Sequence, residues 1–130
     1  MTQIIHMHDY DSDHIPSMPV VDIGLSTPQV SNPIYSTAIV DSGADSTMIP
    51  IQVIKQLKPR YIGKTYLRGV TGKRRPVSIY SVRVHIGENH VYKAQAVADP
   101  QNTEIIIGRD VLNHLEVTLN GFAGVTEIRA

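Results

Sequence analysis

The stretch Ala38-Ile39-Val40-Asp41-Ser42-Gly43-Ala44-Asp45-Ser46-Thr47-Met48-Ile49-Pro50 constrains this chain more than any other, because an apolar run leads straight into an aspartate and a glycine turn. Ala38-Ile39-Val40 is apolar and mostly β-branched, as a buried strand requires, and Gly43 admits backbone angles that a side chain forbids. Asp41 is therefore expected at the end of a buried strand. A carboxylate there resists ionisation, since desolvation and a nearby like charge both disfavour the charged form, and a group so placed is a catalytic candidate. By itself, Asp-Ser-Gly is equally an ordinary turn after a strand, all three residues being good turn formers.

The chain has 130 residues, enough for one domain with its own core and too few for two. Twelve Lys and Arg balance twelve Asp and Glu, so net charge points to no nucleic acid, membrane surface or acidic partner. There is no cysteine, which excludes a disulfide framework and thiol catalysis and leaves the compartment open. No apolar run approaches a membrane span, and the amino end lacks the basic start and apolar core of a secretory signal. The expectation is a soluble, cytoplasmic protein.

Residues 1–17 crowd His6, His8, Asp9, Asp11, Asp13 and His14 before Pro16. No helical spacing holds them on one face, so a flexible tail is favoured over a metal site, and Ile4 to Met7 could alternatively form a terminal strand. From Met18 the pattern is β. Val21, Ile23 and Leu25 alternate, the proline-bearing segment 26–33 turns, and Ile34 to Val40 returns as the second arm of a hairpin ending at Asp41. Pro50, the spacing of Ile51, Ile54 and Leu57, and Pro59 describe a helix of at most two turns. Residues 64–86 form a long hairpin around Gly69-Val70-Thr71-Gly72, beside the basic run Lys73-Arg74-Arg75. That run is a solvated face, an exposed site for trypsin-like nicking, or a bias of a neighbouring cleft toward acidic substrates. Ile105-Ile106-Ile107 is apolar on both faces, like a central strand, Asp110 is placed to cap a short helix, and Asn120-Gly121 signals a tight hairpin. The fold class is all-β, a small closed barrel of one lobe with one or two short helices, spanning 18–130.

Ile-Val-Asp41-Ser42-Gly43-Ala44-Asp45-Ser46-Thr47 resembles the active-site loop of retropepsin-like aspartic proteases, and Glu104-Ile105-Ile106-Ile107-Gly108-Arg109-Asp110-Val111-Leu112 resembles the segment that supports it. The resemblance implies the acid-protease barrel and an aspartic endopeptidase. Asp41 would be the catalytic acid and base, Ser42 the hydroxyl bracing two loops across a dimer, and Gly43 a backbone contact to substrate. Ala44 and Asp45 would line the cleft, with Arg109 pairing Asp45 and Gly108 and Asp110 supporting the loop. Gly69, Val70, Thr71 and Gly72 would supply flap contacts, where the residues alone allow a plain surface hairpin. The family's mechanism uses two aspartates and this chain has one Asp-Ser-Gly, so a homodimer is implied. The substrate would be an extended polypeptide, with no metal and no cofactor.

Two rival readings remain at the level of sequence. One is a catalytically silent domain of the same fold that binds peptides or dimerises. The other is a metal-binding or nucleic-acid-binding barrel resting on the His/Asp stretch and the Lys73 cluster.

Overall fold

In the computed structural model, which describes residues 1–68 and 71–130, strands form where β-branched and aromatic residues alternate with polar ones. In chain order the elements are β1 (Ile4–Asp9), β2 (Val20–Ser26), β3 (Ile34–Val40), β4 (Met48–Pro50), α1 (Ile51–Leu57), β5 (Arg60–Arg68), β6 (Arg74–Ile86), β7 (His90–Asp99), β8 (Ile105–Ile107), α2 (Arg109–Leu112), β9 (Glu116–Asn120) and β10 (Val125–Arg129).

Seven strands share one sheet in the order β2-β3-β8-β4-β7-β6-β5, and β2 also pairs with β6. Six strands therefore close into a barrel and β5 stays outside it. The length of β6, 13 residues, makes this possible: its first part carries β5 along the same edge on which Arg83–His85 later meets Gly24–Ser26 of β2. Closure leaves the barrel strands without an open edge. The interior is filled by Val21, Ile23, Leu25, Val84, Ile86 and Ile107, each at most 1 % exposed and each contributing about 1.5–3 kcal/mol by burial.

One pairing positions the site. β3 and β8 lie side by side and parallel, with Ala38 opposite Ile105 and Val40 opposite Ile107. Their carboxyl ends, Asp41 and Gly108, therefore arrive at the same level of the barrel. β4 then runs between β8 and β7 and feeds α1, whose Ile54 and Leu57 are buried. Pro50 opens that helix, and Lys58 in the left-handed region (φ 48°) ends it before Pro59.

A second sheet, β1-β10-β9, joins the two chain ends. Gln3 and Ala130 exchange N–H···O bonds of 2.9 and 3.0 Å, and His6 and His8 both turn toward Asp22 on β2. The His6 Nε2 accepts the Asp22 N–H at 3.1 Å. His14 sits instead between Asp11 and Glu104. The crowded histidines and aspartates thus serve separate contacts, and among the described residues no three such side chains converge as a metal site. No helix among the described residues is long and apolar enough to cross a membrane.

Three local expectations need correction. The final hairpin turns through four residues, 121–124, because the Asn120 side-chain oxygen accepts the Ala123 N–H and Gly124 takes the positive φ of 67°. The N-cap of α2 is Gly108 rather than Asp110; Asp110 lies in the first turn, where its Oδ1 accepts the Val111 N–H at 3.0 Å together with the Thr47 N–H and hydroxyl. Asp41 is half-buried rather than deeply buried, since β3 is exposed over 35–37 and covered fully only at Ala38.

Candidate active site

The Asp41 loop is built almost entirely by its own backbone. The Asp41 N–H donates to the Ile107 carbonyl at 3.1 Å, continuing the β3–β8 ladder by one residue. Its Oδ1 accepts the Gly43 N–H at 2.9 Å and its carbonyl accepts the Ala44 N–H at 3.2 Å. Aspartate suits this position because a short carboxylate can close the turn on its own main chain. A side chain at Gly43 would lie 3.2 Å from Asp41 Oδ1, so glycine also keeps the carboxylate unobstructed.

The second motif supports this loop from beneath. The Arg109 N–H donates to the Ala44 carbonyl at 2.9 Å, and the Arg109 guanidinium donates through Nη1 to the Ser42 carbonyl at 2.7 Å and through Nη2 to the Asp45 carboxylate. One planar fork thus holds both sides of the turn. Gly108 has to be glycine for steric reasons: a Cβ there would sit 2.6 Å from the Ser46 carbonyl carbon and 2.9 Å from the Ala44 oxygen. The loop and the start of α2 are packed backbone against backbone.

Thr47 completes the support, and sequence reasoning gave it no role. It is 0 % exposed; its hydroxyl donates to Asp110 Oδ1 at 2.8 Å and accepts the Gly108 N–H at 3.3 Å. Its own N–H also donates to Asp110 Oδ1, at 3.0 Å, while its carbonyl accepts the Val97 N–H at 2.9 Å. This clamp ties the end of the loop to β7 and α2 at once. The only signal for it in the sequence is a hydroxyl residue two positions after Asp45, at the point where the chain turns apolar again.

A cavity of about 400 Å³ opens between the loop and the β5 wall. Gly43, Ala44, Asp45 and Ser46 line one side and Thr65, Tyr66, Leu67 and Arg68 the other. Of the residues named from sequence for substrate contact, Gly43, Ala44 and Asp45 line this space. Thr71 and Gly72 lie in the turn beyond the end of β5, and Gly69 and Val70 fall outside the described residues. The wall residues of β5 went unnamed because alternation marks a strand without saying what its open face meets.

The most buried carboxylate in the chain lies elsewhere. Asp99, at the end of β7, is 1 % exposed. Burial pushes its carboxyl up, but the Gln101 and Asn102 N–H groups, the Asn102 amide and nearby Arg75 together hold it below the usual carboxylate range. It fastens a turn and faces no cleft.

The family profile described as retroviral aspartyl protease matches residues 16–120. The chain belongs to that family. Its fold also resembles the crystal structure of a retropepsin-like aspartic protease from Rickettsia conorii, with a TM-score of 0.67 and 13 % identity over 99 % of this chain and 92 % of that one. No curated protein matches the chain. In this retroviral aspartyl protease domain the matched span contains both motifs and ends at Asn120, so β1 and β10 of the terminal sheet lie outside it.

Proposed function

We propose that the protein is an aspartic endopeptidase that cuts extended polypeptides as a two-fold homodimer, each copy supplying Asp41. The observation that supports this most is the Asp41 loop: an aspartate at the end of a barrel strand, half exposed beside a cleft, on a turn braced by Arg109 and by the Thr47–Asp110 clamp. Bracing of this kind is what a reacting group needs, because small misplacements of catalytic atoms cost large factors in rate.

Two carboxylates in one site split their proton affinities, so one is ionised while the other keeps a proton. The ionised carboxylate takes a proton from water as the water oxygen bonds to the scissile carbonyl carbon. The protonated carboxyl hydrogen-bonds to the carbonyl oxygen and passes its proton to it. In the collapse, the C–N bond breaks, its electron pair stays on nitrogen, and nitrogen takes the proton the first carboxylate had gained. A hydroxyl of the adduct returns its proton to the other carboxylate, which restores the starting state. Water is the nucleophile, so the reading calls for no metal or cofactor. Activity falls at both pH extremes, with values belonging to the pair rather than to either residue.

The substrate lies as an added strand between the Asp41 loop and the β5 wall. The partner copy engages surfaces other than the edges of β10, because β10 already carries β1 on one side and β9 on the other within its own chain. A diverse peptide library incubated with wild type and Asp41→Asn, with mass measured in solution, tests the proposal. It expects cleavage by wild type, none by the variant, and a dimeric mass. Turnover retained in Asp41→Asn, or no cleavage at any pH by a dimeric wild type, overturns it.

A further inference from the structure

We infer that the substrate strand taken by this cleft is acidic, and that Arg68 is the side chain that selects a carboxylate close to the scissile bond; the inference rests on the protease reading above. The net charge of zero conceals a strong segregation. Between Ser46 and Gly87 the sequence carries nine of its twelve lysines and arginines and none of its twelve aspartates and glutamates. That segment includes the β5–β6 hairpin, the wall that faces the Asp41 loop across the cavity.

Arg68 lines that cavity. The acid on the opposite side, Asp45, is already engaged by Arg109. Among the described residues, ion pairs involve His8, His14, Arg109 and Arg129, and no cation of the 46–87 segment takes part in one. Arg75 has Asp99 nearby, but that carboxylate is occupied by the donors of its own turn. The strand register sharpens the point: Arg68 stands directly opposite Arg74, and Leu67 opposite Arg75. Like charges directly opposite one another destabilise a strand pair, and an anion between them relieves the repulsion. The hairpin is therefore better satisfied with a carboxylate in the cleft than without one.

A peptide suits this arrangement better than a nucleic acid does, although Tyr61 and Tyr66 are exposed on the same strand. The facing loop puts Asp45 on the cavity with Asp41 two residues before Gly43 on the same turn, and a continuous phosphate backbone would have to run past both. A peptide strand instead has a neutral main chain to lay along the loop and can direct one acidic side chain to the hairpin.

The test uses matched peptides cut by the wild type, with Glu, Gln or Lys placed in turn at each position flanking the cut. At low salt kcat/KM favours Glu over Gln by about three- to fivefold at one or more positions, with Lys poorest. Raising salt to about 0.5 M flattens the order, since these charges are exposed to screening. Arg68→Gln abolishes the preference and Arg68→Glu reverses it. Equal kcat/KM for all three peptides at low salt, or a preference undiminished in Arg68→Gln, overturns the inference. Binding of labelled Glu and Gln peptides and of a single-stranded DNA oligomer to Asp41→Asn protein provides an independent readout. Tighter binding of Glu peptide than of Gln peptide supports acid selection even if wild type cuts nothing, in which case the protease reading fails alone. DNA bound more tightly than the Glu peptide overturns the inference.

Discussion

Replacing Thr47 with valine keeps the shape of the side chain and exchanges its hydroxyl for a methyl, at a residue with no exposure. Two bonds go with it: the 2.8 Å donation to Asp110 Oδ1 and the 3.3 Å acceptance from the Gly108 N–H. Losing a hydrogen bond to a charged acceptor costs about 1.5–3 kcal/mol, and the second, longer bond adds about 1 kcal/mol for an N–H left dry. The sum is about 2.5–4 kcal/mol. In a domain of this size it lowers Tm by roughly 10 °C. Thr47→Ser is the control, because it retains both bonds and removes one methyl, worth about 1 kcal/mol. Thermal and urea unfolding of the three proteins gives the order wild type, Ser, Val from most to least stable. Peptide cleavage falls further in the valine variant than its stability loss alone accounts for, since Thr47 holds the end of the Asp41 loop. A valine variant as stable as wild type, or a serine variant as damaged as valine, refutes the clamp.

Gly108→Ala drives a Cβ into the Ser46 and Ala44 main chain and costs about 1–3 kcal/mol by overpacking, with activity falling because the loop itself has to move; urea midpoints and peptide cleavage report both. Arg109→Ala changes stability by less than about 1 kcal/mol, since its partner Asp45 is 88 % exposed, yet it cuts kcat/KM sharply by freeing the turn; parallel unfolding and kinetic measurements separate the two effects. The pKa of His6 is lowered chiefly by burial, with His8 adding to the shift and Asp22 opposing it, so its stabilisation is full above the unfolded value of about 6.5 and is lost as pH falls through the folded one. His14 behaves oppositely: the Glu104 hydrogen bond raises it, opposed by desolvation and reinforced by the charges of Glu104 and Asp11, so its fastening is present below about pH 6.5 and is lost as pH rises through the folded value. Urea midpoints of wild type, His6→Gln and Glu104→Gln across this range resolve the two slopes; identical slopes in all three contradict the assignment.

The barrel was legible because its signals are local. Alternation in Val20–Ser26 and Arg74–Ile86, the apolar run Ile105–Ile107 and the prolines around Ile51–Leu57 each specify an element without knowledge of its neighbours. The meeting of the Asp41 and Gly108 segments was legible only through their likeness to a family pattern, for nothing in either stretch encodes a parallel pairing to the other. Asp110 was legible as a support of the loop only through that likeness, and its partner Thr47 was not legible at all, because the two are 63 residues apart and Thr47 alone looks like an ordinary turn residue. The amino-terminal strand was obscured by its side chains. His6, His8 and Asp9 look like a solvated tail, yet β1 is fixed by its ladder with β10 and by contacts of both histidines to Asp22. The last turn failed for the opposite reason: Asn120-Gly121 carries the two-residue hairpin signal, but the Asn120 side chain captured the Ala123 N–H and Gly124 supplied the left-handed residue farther on.

The central claim is that one chain carries half of the catalytic pair, and subunit mixing tests it most directly. Wild type is equilibrated with increasing Asp41→Asn protein at constant wild-type concentration, and peptide cleavage per wild-type subunit is recorded. With subunits fully paired and exchanging freely, an equal mixture should show about half the activity of wild type alone, because half of the wild-type subunits sit with a dead partner. Activity per wild-type subunit that stays constant however much Asp41→Asn protein is added, under conditions where exchange of labelled subunits is demonstrated, contradicts the account.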